Sequence, residues 1–368
     1  MTKVIPDVSL IIGDIHLCRQ GGNLLTFYYT EKFFEEQIIP EAKSLNDDNV
    51  NFTVIFMGDV WHSESLINTY IGSRFSKIVE KLLLYADSII FLVGNHDTYK
   101  IDSNSDNGLN FYRGWNNVSI VEEDARFTTE SGEIINFLSY VHDESKLIQL
   151  VKDMPENSYL YMHNEIQGFV YKGNDSLGAL TPSMLSKFKR VIDGHIHSYQ
   201  DVGNITITGS IEQNNFGERD NENYFFILRH KNNAMDRIMN VVSPKYKKVN
   251  WTSISTTPPA EFEQLYKNCR VKIYCENEQQ KQDCYEHVKE VNDLLSLSIE
   301  LVRVKKEYEE DEYDVELKSL DEDIEDTAVT MVTDMKGSEF NGYYVSDAIA
   351  DGVIGKIKNY HKKLIKNE

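Results

Sequence analysis

The sequence contains no run of about eighteen or more apolar residues, so nothing in it reads as a membrane-spanning helix. Its N-terminus lacks the charged region and long apolar core of a secretory leader, and Val8 to Ile12 reads instead as a strand. Cysteine is scarce. The four present (Cys18, Cys269, Cys275 and Cys284) form no CxxC pair and no disulfide-framework spacing, which fits a reducing compartment and a cytoplasmic protein. Basic residues are in deficit, 38 against 59 acidic ones, for a net charge of −21. Binding to a phosphate backbone draws on Lys and Arg, so this balance speaks against an extended nucleic-acid surface. The charge is unevenly spread, however: residues 307–326 hold twelve Asp or Glu and one Lys, the composition of a solvated linker.

At 368 residues the chain is too long for one ordinary domain and short for three, which predicts one large domain with appendages. Val8 to Gly13 reads as a buried strand ending in Gly13-Asp14-Ile15-His16. After the polar loop Arg19 to Asn23, an amphipathic helix is expected from Phe27 to about Leu45, with Pro40 as a candidate interruption. A second strand, Val54 to Met57, ends in Gly58-Asp59-Val60-Trp61-His62. Ile67, Ile71, Phe75, Ile78 and Leu82 then fall at helical spacing. A third strand, Ile89 to Val93, ends in Gly94-Asn95-His96-Asp97. Strands separated by helices predict a partly parallel sheet with right-handed crossovers.

Farther along, a polar loop is expected at Asp102 to Gly108, a strand at Tyr159 to Met162 ending in His163, and one at Arg190 to Ile192 ending in Asp193-Gly194-His195-Ile196-His197. Residues 204–229 alternate like antiparallel strands around a turn, Asn214 to Asn223. Pro244, Pro258 and Pro259 mark a boundary, beyond which residues 271–304 read strand, helix, strand. The expected domains are thus 1–245, a small α+β unit at 246–305, an acidic linker at 306–326 and a helical module at 327–368.

Six of the ten histidines sit at these strand ends. Taken singly, each motif has an ordinary explanation: DxH can be a helix cap beside a surface histidine, and GNHD a turn. GHxH is stronger, because alternate residues on an extended segment place both imidazoles on one face. Together, Asp14, His16, Asp59, Asn95, His163, His195 and His197 have the make-up of a two-ion site. Such a site needs a shared carboxylate, with neutral imidazoles and an amide oxygen completing the shells. The absence of thiolates disfavours a structural zinc site.

The set GDIH, GDVWH, GNHD, His163 and GHIH resembles the calcineurin-like metallophosphoesterases, over roughly residues 8–230. The GDxxH form, Asp59 with His62, is similar to the nuclease subunits of the Mre/Rad break-repair complexes. These include bacterial SbcD and the recombination endonuclease subunit of T-even-type phages, which would make the location a host cytoplasm. The stretches His163 to Gly168 and Gly209 to Glu218 support that branch. The resemblance implies an α/β fold: a β-sandwich flanked by helices, with a small capping domain and a C-terminal helical module. It implies one metal held by Asp14, His16, Asp59 and His197, and another by Asp59, Asn95, His163 and His195, most simply manganese. His96 would act on the leaving oxygen or the pentacovalent phosphorus, and His62 would contact the scissile phosphate.

The activity implied is that of a DNA nuclease, 3′→5′ on duplex ends and endonucleolytic on single strands, in recombination and repair. The implied partners are DNA, a second copy of the chain in a homodimer, and a coiled-coil ABC-type ATPase of the SbcC/Rad kind, gripped through the C-terminal helices. There Ile349, Val353, Ile357, Tyr360 and Leu364 share a helical face. The alternative is a small-molecule phosphodiesterase or nucleotidase with the same metal chemistry. The phosphoprotein phosphatase branch fits less well, because residues 58–63 read GDVWHS and lack its arginine.

Overall fold

The computed structural model describes residues 3–301, apart from 20–22, 64–66, 101–102, 172–173, 290 and 292–295, together with 339–340 and 343–344. Two compact units divide the chain, Met1–Val302 and Arg303–Glu368.

The first unit is organised by two sheets. In one, β2 (Val8–Ile12), β3 (Phe52–Phe56), β4 (Ser88–Leu92) and β7 (Val118–Val121) run parallel. β16 (Tyr224–Arg229) pairs antiparallel with β2, and β17 (Ala234–Met239) with β16, completing six strands. The other sheet has seven strands, in the order β1 (Lys3–Ile5), β8 (Asp124–Thr129), β9 (Ile134–Leu138), β10 (Tyr159–Met162), β13 (Arg190–Asp193), β15 (Ile205–Ile207) and β14 (Gln200–Val202). Its central strands, from β9 to β15, are parallel. Ile11, Ile55 and Ile90 from the first sheet meet Phe137, Tyr161 and Ile192 from the second in one apolar layer. The alternate residues Leu10, Val54 and Phe91 face away from that layer and pack under helices. Both faces of these strands are buried, which is why they read as continuous apolar runs. The result is the expected α/β sandwich flanked by helices.

The helices are α1 (Leu24–Phe33), α2 (Ile39–Asp47), α3 (Thr69–Leu82), α4 (Glu144–Asp153) and the short α5 (Pro182–Leu185). Asn68 caps α3 by accepting from the Tyr70 and Ile71 amides, and the apolar face of α3 buries Ile71, Phe75, Ile78, Val79 and Leu82. Each fully buried side chain of this kind contributes about 1.5–3 kcal/mol. Pro40 does not break the preceding helix. A π-helical turn, Phe34–Ile38, joins α1 to α2, with the Ile39 amide donating five residues back to Phe34. The wider turn accommodates the ring and the missing donor of Pro40, and it sends Phe34 onto Phe56 and Phe75.

Two sequence expectations need correction. Residues 204–229 are not one hairpin: β15 belongs to the seven-stranded sheet and β16 to the six-stranded one. Both are apolar because both are buried, so their similarity carried no pairing information. The segment expected as a polar loop contains β6 (Ser103–Asn107), which pairs with β5 (Thr98–Lys100). Its residues are polar enough to hide the strand period.

A smaller three-stranded parallel sheet, β18 (Tyr246–Asn250), β19 (Arg270–Cys275) and β20 (Ser296–Leu301), closes the first unit. Helices α6 (Trp251–Ile254), α7 (Pro259–Leu265) and α8 (Glu278–Val288) lie in its crossovers, over a core that includes Phe262, Ile273 and Cys284. β11 (Val170–Tyr171) and β12 (Asn174–Asp175) form an antiparallel hairpin in the segment between β10 and β13. In the second unit, β21 (Glu339–Phe340) pairs antiparallel with β22 (Tyr343–Tyr344). The acidic linker expected at 306–326 and the helices expected within 327–368 lie outside the described residues. Among the described residues, no helix is long and apolar enough to cross a membrane.

A buried polar group away from the strand ends makes stability depend on pH. His230 Nδ1 donates to the Asp7 carbonyl at 2.9 Å, which leaves Nε2 to accept from the Tyr161 hydroxyl at 2.8 Å. Burial pushes this imidazole down to about 4. The unfolded chain therefore takes up this proton near 6.5 and the folded chain only near 4. The neutral ring's contribution is complete above the higher value and is lost as pH falls toward the lower one, by about 3 kcal/mol in all. Urea-unfolding free energies measured between about pH 7.5 and pH 4 should fall more steeply in the wild type than in His230→Gln. Parallel curves would remove His230 as the cause.

Candidate metal centre

Because β2, β3 and β4 are parallel, their C-terminal ends lie along one edge of the sandwich, and β10 and β13 bring the second sheet's ends there too. Short backbone bonds lace the exits together. The His16 amide donates to the Asp59 carbonyl at 2.9 Å, Leu17 to Val60 at 2.8 Å, and His62 to Leu17 at 2.8 Å. Asp97, the last residue of GNHD, accepts from the Trp61 amide and the Gly94 amide, each at 2.9 Å. Two glycines are dictated by crowding. A Cβ on Gly94 would stand 2.2 Å from Asp59 Oδ1, and one on Gly58, whose φ is +107°, would stand 2.4 Å from His163 Nδ1. His16, Asp59 and His195 themselves occupy left-handed backbone, at φ 52°, 48° and 65°. Such residues cost about 1–3 kcal/mol each and cluster at working sites.

All seven residues expected as ligands converge. Asp14, His16 and His197 form one group and Asp59, His163 and His195 another, each with ligand atoms within 4.8 Å of one another. His16 Nε2 lies 2.9 Å from His197 Nε2 and 3.7 Å from Asp59 Oδ2. Asp59 Oδ1 lies 3.4 Å from His163 Nε2. Asn95 Oδ1 stands 3.2 Å from His163 Nε2 and 2.9 Å from His195 Nδ1. The Asp59 carboxylate thus turns one oxygen to each group. His62 and His96 stand beside the first group, stacked at 5.6 Å and 7°, their ring centres 5.3 Å and 5.0 Å from that of His16, which meets both edge-on. His62 is exposed and His96 half-buried.

The electrostatics follow from packing charges out of water. Burial alone would raise the Asp59 carboxyl, but the neighbouring His163, by charge and by hydrogen bond, holds it well below the usual range. Burial lowers His16 well below its ordinary value. Burial and the neighbouring His163 push His195 down to about 3. Those two rings are neutral across the physiological range, the form that binds cations. Asp193, wholly buried before GHIH, is raised well above its ordinary value by burial and accepts from the Asn164 amide at 3.0 Å.

Other neighbours of the centre were not read from the sequence. Arg19, assigned to a polar loop, is buried and paired with buried Glu212 at 2.7 Å. Tyr140 and Tyr171 lie 5.9 Å and 5.8 Å from the His195 ring, each at 28°. Glu218 Oε1 is 2.8 Å from His197 Nδ1. Local periodicity gives no hint of these contacts, which long-range chain crossing creates, although the Gly209 to Glu218 stretch itself carries part of the family resemblance.

The family model of the calcineurin-like phosphoesterases matches residues 9–234, well over half of the chain. The chain belongs to this family. As a calcineurin-like phosphoesterase it is a metal-dependent hydrolase of phosphate esters, of a family that uses two-ion sites. No curated protein matches it. Among solved structures it is similar to a 5′-nucleotidase precursor from Thermus thermophilus, at 11% identity and a TM-score of 0.35. That match covers 65% of this chain and 55% of the other, so the chain spans little more than half the length of that protein. A likeness of this degree carries no weight on substrate.

The residues fit a pair of ions. Asp14 Oδ2 is buried without a hydrogen-bond partner, and two imidazole nitrogens face each other, arrangements that cations between them would satisfy. The donors are carboxylate, imidazole and amide oxygen, which suits manganese, iron or zinc. Gly94→Ala should drive Asp59 from its place and abolish tight manganese binding in a calorimetric titration. Unchanged binding in that variant would show that Asp59 is not held against Gly94.

Proposed function

We propose that this phosphoesterase is a manganese-dependent DNA nuclease, 3′→5′ on duplex ends and endonucleolytic on single strands. The observation that carries the reading is His62. It is the histidine that completes GDxxH, and it stands on the solvent side of the centre, stacked on His96. In this reading Asp14, His16, Asp59 and His197 hold one ion, and Asp59, Asn95, His163 and His195 hold the other. When bound, two such ions supply Lewis acidity, neutralising phosphoryl oxygens and making water more acidic. The chain's own groups do the rest. His62 binds a non-bridging oxygen of the scissile phosphate. His96 donates a proton to the leaving oxygen as the P–O bond breaks, while the attacking water's oxygen bonds to phosphorus and its proton passes to solvent. The His96 Nδ1 lies 3.0 Å from the His62 carbonyl, which orients the ring with Nε2 outward.

The second reading, a nucleotidase or small-molecule phosphodiesterase, is favoured by the net charge of −21. We also propose that residues 327–368 dock on an ABC-type ATPase, which would present the duplex, and that the chain works as a homodimer.

The deciding experiment offers the full-length protein, stripped with chelator and reloaded with manganese, four substrates. They are end-labelled linear duplex DNA, circular single-stranded DNA, bis-p-nitrophenyl phosphate and a nucleoside 5′-monophosphate. Cleavage of both DNAs supports the nuclease; release of phosphate from the monophosphate alone supports the second reading. His96→Ala should keep both ions and lose about 10²–10⁴-fold in phosphodiester cleavage. Asp59→Asn should lose ions as well as activity, and equal metal loss in the two variants would contradict these roles. Removing residues 327–368 should abolish ATPase co-purification and leave cleavage of the chromogenic diester intact; retained ATPase binding would reject the docking assignment.

A further inference from the structure

Outside the ligand set, one carboxylate reaches into the centre from a different part of the chain. We propose that Glu218 is a positioning residue that fixes the tautomer and orientation of His197, and that the small β18–β19 sheet holds Glu218 in place. The inference rests on the reading in which His197 helps hold one of two ions.

Glu218 ends a single helical turn, Phe216–Glu218, capped by the Asn215 side chain accepting from the Gly217 amide at 2.7 Å. Its Oε2 accepts from the Asn214 amide at 2.8 Å, and its Oε1 accepts from Asn215 Nδ2 at 3.2 Å. An ionised carboxylate only accepts, so at 2.8 Å the proton belongs on His197 Nδ1. Nε2 is then left bare toward His16 and Asp14, 2.9 Å and 3.9 Å away. The Asn214 amide agrees once its orientation is assigned from its partners. As drawn, its nitrogen is 3.3 Å from His197 Nδ1 while its Oδ1 is buried without a partner. Turned by half a rotation, the oxygen accepts from the same Nδ1–H.

The segment carrying Glu218 is gripped by the small sheet. In β18, the Tyr246 amide donates to Gln213 Oε1 at 2.7 Å and its hydroxyl donates to the Asn214 carbonyl at 3.2 Å. The Phe216 ring stands edge-on to Tyr246 at 4.8 Å, and Lys272 of β19 lies over it at 4.9 Å. His163 in the other group is held differently: its Nδ1 donates to the Met57 carbonyl at 2.8 Å, beside the end of β3. One ion position is therefore oriented by the central sheet's own backbone, and the other by a surface turn that the small sheet clamps.

This asymmetry gives a readout that a merely structural residue would not move. Manganese is titrated into chelator-stripped full-length protein, free ion is counted by electron paramagnetic resonance, and unfolding of the metal-free protein is followed in parallel. Glu218→Gln should weaken one of the two ions by about 10–100-fold and leave the other near its wild-type affinity. Glu218→Asp, which keeps the carboxylate and serves if the Gln variant is unstable, should fall between. Phe216→Ala and Tyr246→Ala should weaken the same ion to a smaller degree. Wild-type affinity for both ions in Glu218→Gln, or equal weakening of both, overturns the role of Glu218. A wild-type chain that binds fewer than two ions overturns the metal-centre reading itself.

Discussion

The structure depends on keeping one carboxylate charged where charge is least welcome. Asp59 is buried at the end of β3, and the His96 backbone amide, with the imidazoles of His163 and His16 beside it, replaces part of the water it has lost. Those histidines come from strand exits in two sheets, so the sandwich has to close before Asp59 is satisfied. The surrounding irregularities follow from that need: glycines at the contact points, left-handed backbone at three of the site residues, and Asp97 bracing one turn against another. Unpaired, a charge so placed would cost several kcal/mol. The same arrangement that makes the site expensive alone makes it suitable for cations.

How the centre is held also separates its two halves. His163 leans on the backbone of the strand that delivers Asp59, so its orientation is as rigid as the central sheet. His197 leans on side chains of a turn whose other face belongs to the small parallel sheet. A disturbance of that sheet reaches one half of the centre through three packed residues and a hydrogen bond.

The parts legible in the sequence are those where one physical demand dominates. Strands buried on both faces must be apolar throughout, and their exits carry ligating groups, after a glycine in β2, β3, β4 and β13 and directly at His163 in β10, so these five announce both the fold and the site. Elements governed by competing demands were not legible. β15 and β16 look alike because both are buried, and nothing local says that they lie in different sheets. β6 carries polar residues whose pattern matches a loop. The π-turn before Pro40 is a compromise between a helix and a ring that cannot donate. Arg19 and Glu212 are nearly two hundred positions apart, and only folding makes them a buried pair.

That pair bears on the awkward charge balance. Burial above all, then His96 and Arg19, lower the proton affinity of His62, and the buried Arg19 guanidinium is already engaged by Glu212. In the proposed reading, positive charge for the substrate comes from the bound cations and from the proposed partner. Exposed charges farther than about 8 Å apart are largely screened at physiological salt. The acidic surface therefore slows encounter with a polyanion more than it weakens the phosphate once seated. On this argument the net charge disfavours unassisted capture of long DNA, and it leaves the chemistry of phosphodiester cleavage untouched. The proposed nuclease reading accordingly assigns cutting to this chain and holding of the duplex to the proposed ATPase partner.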